Sequence, residues 1–152
     1  MEPFDKYPKE WSVDPPPQRE GSNCRHGYGL KLVRETGQTR CAYCGLPLWD
    51  SYEHWLLMAV DHVVPIQAGK GIGIDEKWLA SWSNCVLACS VCNLFRNRFK
   101  FDRQARPITW AEFLKLRDET FAMRKKQVEE AGPHNLEREF YLTEWKKVSP
   151  GS

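Results

Sequence analysis

Apolar and polar positions alternate along the chain with helical spacing in some stretches and strand-like runs in others. Leu30, Leu32 and Val33, interleaved with Lys31 and Arg34, predict a short helix over Gly29 to Thr36, stopped by Gly37 where a helix C-cap favours glycine. Trp55 to His62 has the large and β-branched apolar content of a buried strand, a pattern that a short helix also fits, and Cys85 to Ala88 reads as a second strand. A helix from Ser90 to about Phe99 follows, carrying Asn93 and Asn97 among arginines. The connection over 66–83 has Gly69, Gly71 and Gly73 in its first half, which argue against a rigid start. Its second half, Asp75 to Trp82, predicts a helical turn burying Trp78, Leu79 and Trp82, and a connection of this length suits a flap over a site. Thr109 and Glu112 form a capping box, so a long helix is expected from there to Gly132-Pro133. Its apolar stripe is Trp110, Phe113, Leu114, Phe121 and Val128. A last short helix is expected over Leu136 to Leu142, and residues 1–22, with Pro15-Pro16-Pro17 and scattered aromatics, read as an extended arm pinned by Phe4, Tyr7 and Trp11.

Composition narrows the class. A chain of 152 residues, 41% of them apolar with seven tryptophans, fills one modest core. The expected organisation is an arm over 1–22, a core over 23–106 and a helical extension over 107–152 packed on it. The net charge of +2 argues for no polyanionic partner by itself, but its distribution does: Arg96, Arg98, Lys100, Arg103 and Arg106 cluster against the single Asp102, and Arg25, Lys31, Arg34 and Arg40 against Glu35. Both segments flank the cysteine-rich region, so a phosphate backbone crossing it would meet positive charge. A solvated charged face explains either segment alone equally well. No signal-peptide pattern opens the sequence and its longest apolar run cannot span a bilayer, so the expectation is a cytoplasmic protein with no membrane partner.

In a reducing compartment cysteines point to metal before disulfides. Cys41/Cys44 and Cys89/Cys92 form two C-x-x-C pairs, the four thiolates of a closed structural zinc site. Simple zinc modules place their pairs within about 20 residues of each other; here residues 45–88 intervene, so the metal would clamp the two ends of an insert. Of the remaining thiols, Cys85 reads as core and Cys24 as a surface or partly buried group. The insert carries Asp61-His62-Val63-Val64-Pro65 and ends in Asn84. His26 and His54 belong to no such pattern and read as structural.

The ordered set of C-x-x-C, Asp61-His62-Val63-Val64-Pro65, Asn84, and C-x-x-C followed directly by Asn93 resembles the HNH endonuclease family in its zinc-bound form. The resemblance covers about Cys41 to Arg98 and implies an α+β fold: a ββα-metal core, two strands and a helix around one divalent cation, with extra helices outside. It implies hydrolysis of nucleic-acid phosphodiesters, double-stranded DNA first, to 5′-phosphate and 3′-hydroxyl ends. His62 resembles the general base, Asn84 the residue that ties the loop and orients that base, and Asp61 and Asn93 the ligands of the catalytic cation. Asn93 stands where the family name implies histidine, a substitution also found in active members. Oxygen donors suit Mg²⁺ or Mn²⁺ over nickel or zinc. Arg96, Arg98 and Lys100 would grip the backbone beside the scissile phosphate. One site cuts one strand, so a double-strand break calls for a homodimer or a second event. The alternative is a zinc-ribbon module that binds nucleic acid without cutting it, which has no use for Asp61 and His62 together.

Overall fold

A computed structural model describes residues 1–21, 24–95, 101, 106–107 and 109–149. Its centre is an antiparallel pair, β1 (Met58–His62) and β2 (Cys85–Cys89), in the register Met58 opposite Cys89 through His62 opposite Cys85. Every residue of β2 is buried, which explains its unbroken apolar run. Two α-helices precede the strands as their local signals direct. Helix α1 (Gly29–Thr36) ends at Gly37, whose φ of 74° is the left-handed cap that glycine supplies without a Cβ clash. Helix α2 (Tyr52–Leu56) opens at Ser51, whose hydroxyl accepts from the His54 N–H. Trp55 is therefore helical and the strand starts only at Met58, so the stretch divides between the strand and the short helix that its pattern left open.

The insert between the strands is also more ordered than its glycines suggest. Helix α3 (Ile66–Gly71) and helix α4 (Glu76–Leu79) pack on each other, and a Cβ on Gly69 would lie 2.5 Å from Leu79 Cδ2. That glycine is needed for close approach and not for looseness. Val64, Ile74, Leu79 and Phe113 form a buried cluster there, so the segment is part of the core and not a free flap.

Helix α5 (Ser90–Phe95) follows β2 without a break and packs against both strands. The expected continuation through 96–99, and with it Arg96, Arg98 and Lys100, lies outside the described residues. Helix α6 (Trp110–Ala131) starts at the Thr109–Glu112 capping box and stops at Gly132, φ 58°. Its buried face is Phe113, Arg117, Thr120, Phe121, Arg124 and Val128, so two arginines lie in the stripe expected to be apolar. Helix α7 (Pro133–Val148) runs further at both ends than the expected Leu136 to Leu142.

The N-terminal segment forms two 3-10 turns, Phe4–Lys6 and Lys9–Ser12, and closes one side of the core. Trp11 stacks on Trp82 at 5.5 Å, Phe4 meets Phe121 edge-on, and the buried Tyr7 hydroxyl donates to the Cys85 carbonyl. Among the described residues no helix is long and apolar enough to cross a membrane.

Candidate functional site

Two adjacent sites share the β1–β2 pair. The first is the cysteine cage. Gly45, at φ 79°, lets the chain turn back so that its N–H reaches the Cys41 carbonyl at 2.9 Å, and the Ala42 N–H hooks the knuckle onto the Leu87 carbonyl of β2. Cys89 ends β2 and Cys92 lies one turn into α5, its N–H donating to Cys89 Sγ at 3.4 Å. The four sulfurs lie within 4.8 Å of one another. Cys44 and Cys89 are 3.8 Å apart, which is the tetrahedral edge implied by Zn–S bonds of about 2.3 Å. The donor set thus fits a structural zinc ion. Thiolates this crowded repel: Cys41 and Cys44 push the Cys89 and Cys92 thiols up while Cys44 itself is pushed down, a conflict that a cation among them removes. A fifth group, absent from any sequence pattern, completes the surroundings. His134 Nε2, at the start of α7, lies 3.4 Å from Cys44 Sγ and 3.3 Å from Cys89 Sγ, over one edge of the cage.

The second site is the end of β1. Alternation along the strand sends Asp61 and His62 to opposite faces. Asp61 is buried, and its Oδ2 accepts from the Tyr43 hydroxyl at 2.6 Å and from Arg124 Nη2 at 2.7 Å. Arg124 Nη1 donates to the Val63 carbonyl at 2.5 Å and to the His62 carbonyl at 3.2 Å, and the guanidinium lies 4.6 Å over the Tyr43 ring. Burial lowers the pKa of Arg124 to about 10, so it stays charged at neutral pH and the pair with Asp61 is ionic. Two helical turns earlier Arg117 Nη1 donates to the Ser83 carbonyl at 3.0 Å, with its guanidinium 3.8 Å over the Phe4 ring. Helix α6 therefore fastens both strand ends through arginines seven residues apart.

Asn84 joins those ends. Its Oδ1 accepts from the Val64 N–H and its Nδ2 donates to the carbonyls of Val64 and Leu79, all at 2.9 Å, while its own carbonyl accepts from the Val63 N–H at 2.8 Å. The fully buried carboxamide holds the turn after His62 as a backbone partner would. His62 is largely shielded; burial, and to a smaller degree the positive charge of Arg19, lower its pKa to about 4. The imidazole is neutral at pH 7.

Asn93 follows Cys92 on α5 and is half-buried. A carboxylate and an amide oxygen are hard donors of the kind a divalent cation takes, and ligating carboxylates are commonly fixed by outer hydrogen bonds such as those of Tyr43 and Arg124. The donor types fit such a cation, although Asp61 Oδ2 is already held by Tyr43 and Arg124. The sequence pointed to Asp61, His62, Asn84 and the cage; it gave no sign of Tyr43, Arg117, Arg124 or His134. Only the spacing of Arg117 and Arg124 within the run Phe113, Thr120, Phe121, Val128 could have marked the two arginines as inward-facing. Elsewhere, His54 pairs with Asp50, His26 packs on Trp55, Cys85 is buried with its thiol pushed up to about 12, and the Cys24 thiol donates to the Met58 carbonyl.

Compared with known proteins, residues 41–98 match the family model described as HNH endonuclease, while no curated protein and no solved structure matches the chain significantly. The matched span begins at Cys41 and runs through β1, β2 and α5. Over that span the chain is similar to HNH endonucleases, and its strand pair with the following helix is the α+β unit expected of a ββα-metal core.

Proposed function

We propose that the protein is an endonuclease hydrolysing phosphodiester bonds of nucleic acid, with double-stranded DNA the first substrate to test. The observation that carries this reading is the HNH-family match over a span in which His62 ends β1 beside the turn that the buried Asn84 holds. In this reading His62 takes the proton from an attacking water, and Asn84 and Arg124 hold the Val63–Val64 backbone that follows it so that the ring is pre-aimed. A Mg²⁺ or Mn²⁺ ion bound to Asp61 and Asn93 would supply charge stabilisation at the phosphate and at the leaving 3′ oxygen. Arg96, Arg98 and Lys100 follow α5 in sequence and would meet the phosphate backbone, making binding weaken as salt rises. The cysteine cage, holding zinc, would fix the start of α5 and with it Asn93.

A zinc module that grips nucleic acid without cutting it is the rival, favoured by one observation: Asp61 Oδ2 is already engaged by Arg124 and Tyr43. Supercoiled plasmid incubated with the protein in Mg²⁺, Mn²⁺ or EDTA decides between them. Nicking in metal that EDTA stops and His62→Ala abolishes, with DNA binding retained, supports the enzyme. Binding without cleavage in any divalent metal leaves the zinc module.

A further inference from the structure

Of the four cage cysteines Cys44 is the most accessible, and a cavity of about 470 Å³ reaches it between the turn over 41–45 and the junction of α6 with α7. His134, the second residue of α7, stands at that junction with Nε2 3.4 Å from Cys44 Sγ and 3.3 Å from Cys89 Sγ. A metal-bound thiolate has no proton to give, so across both contacts the imidazole is the donor and carries its hydrogen on Nε2. Four thiolates already close the tetrahedron of a zinc ion, so the ring serves the sulfurs and not the metal. We propose that His134 is a positioning residue of the zinc site: its Nε2–H is shared between the Cys44 and Cys89 thiolates, which strengthens metal binding and fastens the C-terminal helix to the cage.

The charge of the site calls for such a donor. Four thiolates around one dication keep a net charge of −2, and each hydrogen bond to a sulfur lowers the cost of holding that charge away from water. Cys89 Sγ already accepts from the Cys92 N–H at 3.4 Å, and His134 adds a donor from outside the matched span 41–98. Local chemistry delivers it. Gly132, at φ 58°, ends α6 in the left-handed region and Pro133 fits the first position of a helix, so the chain reverses at the cage. The first turn of α7, with its partial positive charge, then stands beside the thiolates. Pro133, Leu136 and Glu137 line one groove with Val91, Leu94 and Phe95 of α5, a helix that holds Cys92 in its first turn. Both helices therefore start from the same metal. The inference rests on zinc filling the cage and is independent of cleavage.

Variants of the full chain loaded with zinc or cobalt test it. His134→Phe keeps a ring of similar size without the donor, and His134→Gln puts an amide N–H close to the place of Nε2. In competition with a chelator His134→Phe should hold zinc about tenfold more weakly, with His134→Gln nearer wild type. The sulfur-to-metal charge-transfer band of the cobalt-loaded chain should move to longer wavelength in His134→Phe, because a thiolate that loses an N–H partner gives up its electron more easily, and should return towards wild type in His134→Gln. Amide exchange in the first turns of α7 should quicken in His134→Phe while that of β1 and β2 is unchanged. X-ray absorption of zinc-loaded wild type should show four sulfur neighbours. An affinity of His134→Phe within about twofold of wild type, or an unmoved band, overturns the proposal. So does a His134→Gln that behaves as His134→Phe, a nitrogen in place of a sulfur beside the zinc, or a wild type that takes up no zinc.

Discussion

Replacing Arg124 with methionine tests whether α6 holds the candidate active site. Methionine keeps the length of the buried stem but removes the guanidinium that pairs with Asp61 at 2.7 Å and bonds the Val63 and His62 carbonyls. Both partners of the pair are almost inaccessible, Arg124 at 3% and Asp61 at 2%. Removing one member of a buried ion pair leaves the other charge desolvated and costs about 3–5 kcal/mol, a large share of the roughly 5–15 kcal/mol that holds a domain folded. Adding Asp61→Asn removes the stranded charge, so the double variant should be more stable than Arg124→Met alone by about 2 kcal/mol. The assay is urea unfolding of the zinc-loaded chain for wild type, both single variants and the double variant. With a slope of about 2 kcal/mol per molar, Arg124→Met should lower the midpoint by roughly 2 M. A loss below about 1 kcal/mol, or single-variant losses that add to the double-variant loss within about 0.5 kcal/mol, would refute the coupling. Arg124→Lys keeps the charge but cannot span Asp61 and the two carbonyls together; it should recover stability in part while the nicking rate stays low.

Three further outcomes follow from the same geometry. Asn84→Ala strands the buried Val64 N–H and two carbonyls, so it should cost about 2–4 kcal/mol by the same unfolding assay and slow nicking. His62 has a folded pKa of about 4, below its unfolded value near 6.5, so the unfolded chain takes up the proton first as pH falls. Stability is unaffected above pH 6.5 and is lost between 6.5 and 4, by at most about 3 kcal/mol, and His62→Gln should flatten that part of the profile. Cys89→Ser or Cys92→Ser should abolish zinc binding and cleavage together through lost folding, read by metal analysis and circular dichroism; a variant that stays folded and active would remove the clamp role of the cage.

What the chain determined by itself is what depends on neighbours in sequence. The Thr109–Glu112 box starts α6, Gly37 and Gly132 end helices where only a residue without a Cβ turns left-handed easily, and two C-x-x-C pairs each bend a pair of sulfurs toward one ion. The order of those pairs around Asp61-His62 and Asn84 carried the HNH resemblance, because the ligand spacing belongs to the turns themselves. Tertiary structure decided which partners the polar groups found. Asp61 meets an arginine 63 positions away, Asn84 bonds backbone 20 positions back, and His134 reaches the cage from 90 positions beyond Cys44. No local rule anticipates such pairings, since a charged residue on a helix is expected to face water unless a buried opposite charge offsets its desolvation. Arg117 and Arg124 break that expectation because α6 crosses the ends of the two strands, where unpaired carbonyls and one carboxylate needed donors. Gly69 shows the same division: its missing side chain reads as flexibility along the chain, and only the packing of α3 against Leu79 makes it a contact.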